Sequence, residues 1–565
     1  MAYQKEYQKW LNNNDLEPQL REQLIAMNEK EIIDAFSNSL SFGTAGIRGV
    51  MGPGIARMNI YNIRKATIAF IQYLQKHYEM DELQKGIVIA HDNRHYSLEF
   101  SQEVANIFTS YSIPVYLFSN NDLRPTPLLS YSVRKLNALA GAVITASHNP
   151  PEYNGFKIYD ENGCQFLPVV TDEVGNNMEN IAIEDVFKLL KPIQKQLIKT
   201  VPIIVEEEYI KDVKALQFYP HEQKDIKIVF SNQHGTSRDW VMRVLQSSNY
   251  QVIPVKEQWD FDPNFSNTPS PNPEVAESFT LAIKYAKKNN ADLIIINDPD
   301  SDRIGIAVLH HNEYFLLNGN ETAPILLEYL LSHYQQQKIM PLNPVMYNTF
   351  VTGHLSDLVA KSYGCEVIKT LTGFKWIGNE MAKEKTRNIN FVFGFEEAYG
   401  YVVKDLTRDK DGIAAAMVVA EACNYYRQQN KSLVDVLEDI YQKYGYFFYF
   451  NTVNVVLKGP SGQKAIKTIL AKLRKDSIVS LNNIKLAKKE DYLQGLYNMP
   501  PQDLLKFYFN DGSWLAIRAS GTEPKIKFYF VCVDKSVKAA KIKMELMFSD
   551  LEKNYLHLKK GKLDD

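Results

Sequence analysis

The sequence predicts an α/β protein of several domains, three of them alike and a different one at the C-terminal end. The chain has 565 residues, which exceeds the size at which a single hydrophobic core stops growing. Short Val/Ile-rich runs end in polar clusters and alternate with amphipathic stretches, a pattern typical of buried parallel strands separated by helices. The last stretch has strands followed by one long helix, which favours an α+β domain.

The first unit follows a helical N-terminal segment, residues 1–34, in which apolar side chains recur at helical spacing. A second helix is predicted over residues 60–77, where apolar residues again follow the helical period. Three apolar runs rich in β-branched residues then predict the strands of one sheet, and they are residues 86–92, 114–119 and 141–147.

The later units are predicted by the same patterns. The second has strands over 226–232, 251–255, 293–297 and 304–309 with a helix over 279–288. The third has strands over 345–350, 365–370 and 391–395 with helices over 323–334 and 413–428. The last has strands over 452–457, 514–518 and 526–533 and a helix over 536–558. The predicted domains are residues 1–205, 206–315, 316–443 and 444–565, with limits near 201–206, 310–318 and 443–449.

Composition and charge exclude several classes of protein. The 64 basic and 66 acidic residues give a formal net charge of −2, so no global field attracts nucleic acid or an anionic membrane. The four cysteines are far apart, which predicts buried thiols rather than disulfides or a zinc site. Because the polar N-terminus is unlike a signal peptide and no run of about eighteen apolar residues occurs, we expect a cytoplasmic protein without a membrane-spanning helix.

A serine loop follows the third predicted strand. Residues 145–151 read TASHNPP, so Ser147 stands at the carboxyl end of a strand, where open α/β sheets place reacting groups. Ala146 and the two prolines favour an exposed, preset bend that presents the hydroxyl. An isolated Ser-His pair in a polar turn is more often a solvated serine, so the loop alone leaves both interpretations open.

An acidic loop follows the strand over 293–297. Residues 298–303 read DPDSDR, and carboxylates at alternate positions can converge on one hard cation such as Mg²⁺. The glycine and the later glutamate of an EF-hand loop are not in the required places. A solvated acidic turn is the alternative, but the adjoining Arg303 favours a phosphate shared by the metal and the guanidinium.

Three further loops carry polar groups with weaker signals. Residues 394–400 (GFEEAYG) offer two carboxylates that suit sugar hydroxyls and repel phosphate. Residues 518–525 (RASGTEPK) combine hydroxyls, a glycine and two cations, as a loop that wraps a phosphate does. Residues 42–49 (FGTAGIRG) place an arginine in a glycine-rich loop. Each one alone is equally consistent with an ordinary turn.

The five loops in this order resemble the α-D-phosphohexomutases, the family that includes phosphoglucomutase and phosphomannomutase. The resemblance runs from Phe42 to Lys525, and the serine and aspartate loops are its most specific parts. The N-terminal extension, residues 372–378 (TGFKWIG) and the GFEEAYGY form resemble the branch of bacterial phosphoglucomutases and animal phosphoglucomutase/phosphopentomutase enzymes. The implied fold is four domains around a central cleft, three mixed α/β domains and a C-terminal α+β domain.

The resemblance implies a metal and a phosphoserine. Ser147 matches the serine that carries the phosphoryl group and that joins three aspartates as a ligand of Mg²⁺. The implied metal ligands are Ser147, Asp298, Asp300 and Asp302.

The other implied roles concern the phosphoryl group and the sugar. Arg48 and Arg303 match side chains that stabilise the transferring phosphoryl group, and His148, Lys157 and Lys375 match candidates for acid/base work. The implied substrate-binding residues are Thr44, Thr372, Gly373, Glu396, Ala398, Arg518, Ser520, Gly521, Thr522 and Lys525. Ala398 departs from the serine of many members, and the residues after Gly400 lack the histidine of the two-substrate bacterial enzymes.

The implied activity is the interconversion of glucose 1-phosphate and glucose 6-phosphate, with Mg²⁺ as cofactor and glucose 1,6-bisphosphate as intermediate and activator. Because the sugar loop is the least decisive match, phosphomannomutase or phosphopentomutase activity stays open. A non-catalytic sugar-phosphate binding protein and a metal-dependent serine phosphatase are the alternatives from other classes. We expect sugar phosphates as partners, no nucleic acid or membrane, and a monomer or a homodimer.

Overall fold

The computed structural model describes residues 2–42, 46–188, 191–445, 447–456, 459–476, 478–519 and 525–556. Two compact units are distinguished by their internal contacts. The first unit comprises Met1–Gly319, His333–Tyr347 and Gly373–Leu433, and the second comprises Asn320–Ser332, Asn348–Thr372 and Val434–Asp565. Each is described by itself below.

The first sheet has a parallel centre and an antiparallel edge. Its strands are β1 (Ile47–Val50), β2 (Ile87–His91), β3 (Val115–Leu117), β4 (Ala140–Ile144), β5 (Tyr153–Tyr159) and β6 (Ile198–Thr200). They lie in the order β1-β5-β4-β2-β3-β6. The accompanying helices are α1 (Ala2–Leu11), α2 (Pro18–Ala26), α3 (Glu29–Phe36), α4 (Ile60–His77), α5 (Met80–Leu83), α6 (Ser97–Ser110), α7 (Thr126–Lys135) and α8 (Pro168–Asn180). The predicted helix over 60–77 is confirmed.

The N-terminal helices belong to the core of this first region. Trp10 of α1 is fully buried and makes edge-to-face contacts with Phe36 of α3, Tyr61 of α4 and Phe187. Aromatic pairs in this geometry add about 0.5–1.5 kcal/mol each to the free energy of burial. The segment over 1–34, which the sequence predicts to be helical, is therefore packed onto the first sheet domain rather than tethered to it.

The second sheet repeats the arrangement. Its strands are β7 (Lys227–Ser231), β8 (Gln251–Pro254), β9 (Leu293–Asn297), β10 (Ile304–His310) and β11 (Glu313–Leu317). They lie in the order β11-β10-β9-β7-β8, with β8, β7 and β9 parallel and β10 antiparallel to β9. The helices of this region are α9 (Ile203–Lys214), α10 (Arg238–Gln246) and α11 (Thr280–Asn289).

The third group of strands again ends in an antiparallel pair. Its strands are β12 (Pro344–Thr349), β13 (Glu366–Thr370), β14 (Asn390–Glu396) and β15 (Gly400–Val403). Here β12 is parallel to β14, and β14 is antiparallel to β15. The helices are α12 (Gly319–Gln336), α13 (Leu355–Ser362), α14 (Phe374–Ala382), α15 (Glu384–Arg387), α16 (Gly412–Arg427) and α17 (Leu433–Tyr444). The predicted likeness of the first three units is confirmed.

The last sheet is entirely antiparallel. Its strands are β16 (Phe447–Val456), β17 (Ser480–Leu481), β18 (Ile484–Asp491), β19 (Leu504–Phe509), β20 (Trp514–Ala519) and β21 (Lys525–Val533). They lie in the order β16-β21-β20-β19-β18-β17, next to α18 (Gly459–Lys475) and α19 (Val537–Leu551). The predicted fold class, three α/β units and an α+β domain, is confirmed.

Several predicted elements differ from the observed ones in extent, and two of them end early as regular elements. The predicted strand over 141–147 ends at Ile144, because the Thr145 hydroxyl accepts a hydrogen bond from the Ser147 N–H (2.8 Å) and the chain turns. The α-helix predicted over 536–558 ends at Leu551 and continues as a π-helical turn to Leu556, while residues 557 and 558 lie outside the described part. Strand β5 was not predicted, since Asn154 and Gly155 interrupt its apolar pattern.

The buried thiols that the composition predicts are confirmed. All four cysteines are buried and unpaired, and burial raises the pKa of each thiol. No helix within the described residues combines the length and the hydrophobicity needed to cross a membrane.

A half-buried histidine just before α13 makes the second unit sensitive to acid. Burial lowers the pKa of His354 to about 4. The Asp357 carboxylate raises this pKa, and the positive charges of Lys369, Lys506 and Lys361 lower it. Because this folded-state pKa lies below the ordinary value of 6.5, its contribution to stability is complete above pH 6.5 and is lost as the pH falls toward 4.

Between pH 6.5 and pH 4, we therefore expect the free energy of unfolding to fall by about 2 kcal/mol less in His354→Gln than in wild type. The measurement is the midpoint of denaturant unfolding, followed as a function of pH. The exposed His221 supplies the control, because His221→Gln leaves the pH profile unchanged. Equal profiles for wild type and His354→Gln would contradict the prediction.

Candidate active site

Each of the loops that the sequence singles out after an apolar strand connects two antiparallel neighbours. Residues 145–152 join β4 to β5, residues 298–303 join β9 to β10, and residues 397–399 join β14 to β15. The fourth loop, residues 520–524, lies outside the described residues, but it connects the antiparallel pair β20 and β21. Equivalent hairpins in successive sheets therefore carry the candidate residues.

Three carboxylates are concentrated in the hairpin after β9. Asp298, Asp300 and Asp302 are buried, and one oxygen of each lies within 4.8 Å of the others. The turn places a residue with positive φ at Ser301 (+63°), so the aspartates at alternate positions can face the same side. The backbone N–H of Arg303 donates to Asp298 Oδ1 (2.9 Å) and closes the loop.

The same hairpin is held by hydrogen bonds to its backbone carbonyls. Three of the donors come from other segments of the first unit, and the fourth is Asn297, which directly precedes the loop. The bonds run from Thr236 N–H to Pro299 O (2.8 Å), from Thr126 N–H to Asp300 O (2.9 Å), from Gly412 N–H to Ser301 O (3.1 Å) and from Asn297 Nδ2 to Arg303 O (2.7 Å). These bonds fix the backbone of the hairpin without using a carboxylate oxygen.

The serine loop meets the acidic loop through a short hydrogen bond. Ser147 is buried, and its Oγ donates to Asp298 Oδ2 at 2.6 Å. His148 Nδ1 lies 3.2 Å from the same Oγ. The φ of Ser147 is +52°, a left-handed conformation that costs a non-glycine residue about 1–2 kcal/mol. The predicted convergence of the serine and the aspartates is thus present in the geometry.

Two buried lysines pair with the carboxylates. Lys157 Nζ donates to Asp300 Oδ2 (2.8 Å) and lies 3.3 Å from Asp302 Oδ2. Lys410 Nζ lies 3.3 Å from Asp302 Oδ2 and 3.1 Å from Asp409 Oδ1. Lys157 comes from β5 and Lys410 from the segment before α16, so two distant parts of the chain neutralise one cluster.

The pKa shifts follow from this crowding. Burial, together with Asp300 and Asp302, raises the pKa of Asp298 well above its usual range. Burial would also raise the pKa of Asp300, but Lys157, a hydrogen bond with Asp298 and the charge of Arg48 together outweigh it and hold that pKa low. Against burial, Asp302 and Asp409 raise the pKa of Lys410. Both lysines therefore hold their protons.

The cluster fits a divalent cation. Asp300 Oδ1 and Asp302 Oδ1 are buried and have no hydrogen-bond partner within the described residues. A buried carboxylate oxygen without a partner loses its hydration without compensation, and a hard cation supplies the missing interaction. Mg²⁺ binds a few carboxylate oxygens and keeps water or phosphate as its other ligands, which matches this donor set.

Arg303 and Arg48 flank the cluster. Arg303 Nη1 donates to the Glu274 carboxylate, and its Nε lies 3.8 Å from Asp302 Oδ1. Burial would lower the pKa of Arg303, but Glu274 and the nearby aspartates raise it. Arg48 Nη1 donates to Asn149 Oδ1 in the serine loop (2.8 Å). Both guanidiniums stay charged, so two further cations lie beside the acidic and serine loops.

In residues 394–400, the loop predicted to bind the sugar, one carboxylate is hydrogen-bonded within the protein. Glu396 Oε1 accepts a hydrogen bond from the Gly373 N–H (2.7 Å), where Gly373 has a φ of +116°. Ala398 is half-buried in the turn between β14 and β15. Lys375 lies buried in the first turn of α14, and its carbonyl accepts from Asn379 Nδ2 (2.7 Å).

The remaining predicted residues belong to the second unit or fall outside the described residues. Thr372 belongs to the second unit, where its buried Oγ1 has no hydrogen-bond partner among the residues that are described. Arg518 is at the end of β20, opposite Leu504 and Lys527. Lys525 begins β21. Thr44, Ser520, Gly521 and Thr522 lie outside the described residues, so their roles stay predictions.

The structure adds residues that the sequence reasoning missed. Lys410 and Asp409 lie in the charged run Arg408-Asp409-Lys410-Asp411 just before α16, a run that resembles a solvated surface in the sequence. Thr126 Oγ1 donates to Asp300 Oδ2 (2.9 Å). No local sequence pattern indicates that Thr126 belongs to the site. The charged run, in contrast, is visible in the sequence and could have pointed to Asp409 and Lys410.

Comparison with known proteins identifies the class that this fold and site define. Models of the phosphoglucomutase/phosphomannomutase family match residues 39–184 as alpha/beta/alpha domain I, 207–311 as domain II, 318–444 as domain III and 453–547 as the C-terminal domain. The chain belongs to the phosphoglucomutase/phosphomannomutase family. The resemblance inferred from the five loops is confirmed, while the predicted domain limits at residues 205, 315 and 443 stay predictions.

Individual relatives cover nearly the whole chain. A phosphoglucomutase of Staphylococcus aureus is 36% identical over 88% of this chain and 90% of its own length. A phosphomannomutase of Mycoplasmoides pirum is 35% identical over 94% of this chain and 95% of its own. The open form of pp63/parafusin, a phosphoglucomutase from Paramecium, has a TM-score of 0.66 at 18% identity and covers 91% of this chain and 96% of its own, which supports the fold.

The tight packing around Gly412 leads to a prediction about the acidic loop. A Cβ at Gly412 would lie 2.6 Å from Asn297 Nδ2, 2.7 Å from Arg303 O and 2.8 Å from Ser301 O.

We expect Gly412→Ala to displace the aspartate hairpin and to weaken the binding of Mn²⁺, used as a probe for Mg²⁺, by at least about tenfold. The matched control is Gly175→Ala, where a Cβ meets nothing within 4 Å. Titration calorimetry of both variants tests this, and equal affinities would contradict it.

Proposed function

We propose that the protein is a Mg²⁺-dependent phosphohexomutase that interconverts glucose 1-phosphate and glucose 6-phosphate through a phosphoserine at Ser147. The observation that carries the proposal is the 2.6 Å contact between Ser147 Oγ and Asp298 within a buried group of three carboxylates. A hydroxyl beside a site that fits a divalent cation suits phosphoryl transfer, which depends on positioning and charge compensation. The S. aureus relative named phosphoglucomutase supports the choice of sugar.

In the proposed cycle, phospho-Ser147 donates its phosphoryl group to the free hydroxyl of a hexose monophosphate. The bond from phosphorus to Oγ breaks, and a bond from phosphorus to the sugar oxygen forms, which gives glucose 1,6-bisphosphate. The bisphosphate reorients and returns its other phosphoryl group to Ser147, so the enzyme ends as it began. Added glucose 1,6-bisphosphate is accordingly expected to activate the enzyme by phosphorylating Ser147.

The chain's own residues have distinct parts in this transfer. Bound Mg²⁺ would be held by Asp298, Asp300, Asp302 and an oxygen of Ser147 or its phosphate, and it would offset charge on the phosphoryl oxygens. The guanidiniums of Arg48 and Arg303 stabilise the same developing charge. Lys157 is paired with two carboxylates and keeps its proton, so it suits charge stabilisation better than proton removal.

The proton of the serine hydroxyl has two acceptors within reach. Asp298 Oδ2 receives the hydrogen bond in this structure, and His148 Nδ1 lies 3.2 Å from Oγ. Since bound Mg²⁺ would occupy Asp298, we propose that His148 exchanges the proton with Ser147 during the cycle. Lys375 stays a candidate for acid/base work at the sugar hydroxyl.

Mannose phosphate is a second candidate for the substrate. The M. pirum relative is named phosphomannomutase, and Ala398 provides no hydroxyl to the sugar loop, so mannose phosphate is the second candidate. We also propose the cytoplasm as the location, because four unpaired cysteines suit a reducing compartment. The choice between monomer and homodimer stays a prediction.

The first test removes the phosphate carrier. We expect Ser147→Ala to lose at least about 1,000-fold of the mutase turnover, assayed with glucose 1,6-bisphosphate present, while the unfolding midpoint stays near that of wild type. Intact-mass analysis is expected to show phosphate uptake from the bisphosphate by wild type and none by the variant. Ser110→Ala is the control, because Ser110 is buried in the same domain and its hydroxyl donates to Ile107 O of its own helix. Wild-type turnover in Ser147→Ala would refute the phosphoserine.

The second test identifies the sugar. Turnover is compared on the 1-phosphates of glucose, mannose and ribose, and we expect kcat/KM to be highest for glucose by about tenfold or more, since a hydroxyl contact is worth about 1–2 kcal/mol. A higher value for mannose or ribose would replace glucose with phosphomannomutase or phosphopentomutase activity. Release of free phosphate without isomerisation would instead favour a phosphatase.

A further inference from the structure

Arg94 is a fully buried arginine that binds the backbone of the serine loop. Its side chain is 0% exposed, and both Nη atoms donate to carbonyl oxygens around Ser147. The bonds run from Nη2 to Ser147 O (2.5 Å) and Asn149 O (2.5 Å), and from Nη1 to Pro150 O (2.8 Å) and Tyr153 O (3.0 Å). One guanidinium therefore gathers four carbonyls from the start, the middle and the end of one loop.

The guanidinium of Arg94 is itself held in place by Asp92 and Phe265. Arg94 Nε lies 3.3 Å from Asp92 Oδ2. Asp92 Oδ1 accepts hydrogen bonds from the Arg94 N–H (2.9 Å) and from Ser97 Oγ (2.7 Å), which anchors the carboxylate to the start of α6. The ring of Phe265 covers the guanidinium, with 5.0 Å from Cζ to the ring centroid. Arg94 has little freedom to follow a loop that moves.

This anchor explains how Ser147 keeps its left-handed conformation. The strain of a positive φ persists only where the surroundings over-determine the backbone. Here the Ser147 carbonyl points to Arg94 and its N–H to Thr145 Oγ1, while Oγ points to Asp298. If the carbonyl is released, the backbone can relax and rotate the Cα–Cβ bond away from the aspartates.

We propose that Arg94 is a positioning residue for phosphoryl transfer: by holding the carbonyls of Ser147 and Asn149, it aims the serine oxygen at the metal cluster. The inference rests on the proposed function. Arginine suits the task because its planar fork presents several N–H groups in fixed directions, whereas lysine offers a compact ammonium that reaches fewer carbonyls. Arg94 touches neither the sugar nor the phosphoryl group, so it acts through Ser147.

A purely structural role would give a different result, and Arg64 serves as the comparison for such a role. Arg64 is half-buried in the same domain and donates to Glu103, Val186 O (2.8 Å) and Phe187 O (2.9 Å), away from the serine loop. Both arginines pair with a carboxylate and donate to backbone carbonyls. Loss of either arginine removes similar interactions, but of these two it is Arg94 that bonds the loop carrying Ser147.

The experiment compares Arg94→Met, Arg94→Lys and Arg64→Met in the full-length chain. Each is measured for its unfolding midpoint, for kcat and KM with glucose 1-phosphate, and for the single-turnover rate at which the phosphorylated enzyme passes its phosphoryl group to that sugar. We expect Arg94→Met to lower kcat and the single-turnover rate by about 100-fold, with KM within about threefold of wild type. Arg94→Lys is expected to recover about a tenth of the activity, and Arg64→Met to lower the midpoint with kcat within about twofold.

Two outcomes would overturn the inference. One is an equal, small effect of Arg94→Met and Arg64→Met on kcat once the amount of folded protein is taken into account. The other is a rise in KM with an unchanged single-turnover rate. If Arg94→Met does not fold, Arg94→Lys decides the matter by the same two criteria. Absence of mutase turnover and of phosphate uptake in the wild-type enzyme would refute the proposed function itself, which separates the two failures.

Discussion

The crowding of three buried carboxylates within 4.8 Å is the constraint on which the rest of the site depends. Like charges so close repel strongly in a medium of low dielectric, so the cluster is stable only with cations beside it. Lys157 and Lys410 pair directly with Asp302, and one oxygen each of Asp300 and Asp302 has no hydrogen-bond partner among the described residues. The protein thereby supplies part of the positive charge, and the donor set fits a divalent cation that would supply more.

Backbone carbonyls, rather than side chains, hold the two central loops. Four donors fix the acidic hairpin through the carbonyls of residues 299, 300, 301 and 303, and Arg94 fixes the serine loop in the same way. Because these hydrogen bonds are made to carbonyls, they hold the backbone of both loops without using a hydroxyl or carboxylate oxygen. Such preorganisation lowers the reorganisation that a transition state requires.

Much of the fold and part of the site could be predicted from the sequence. Strands β2, β9 and β14 are continuous apolar runs, and buried strands show this pattern whatever surrounds them. Ser147 and the aspartates stand directly after such strands, so their place at the sheet edge follows from local sequence. Strand β5 was missed because Asn154 and Gly155 interrupt its pattern, although Gly155 is required there: a Cβ would lie 2.4 Å from Thr145 O.

The sequence by itself determined which residue types follow the strands, and with them the available chemical groups: a hydroxyl, three carboxylates and an arginine. Only the tertiary structure decided which charges meet. Lys410 pairs with Asp302 across 108 positions of the chain, Lys157 pairs with Asp300 across 143, and Arg94 reaches the loop of Ser147 across 53. Periodicity and turn chemistry are local and can be read along the chain, whereas electrostatic pairing depends on distances that exist only after the sheets have packed.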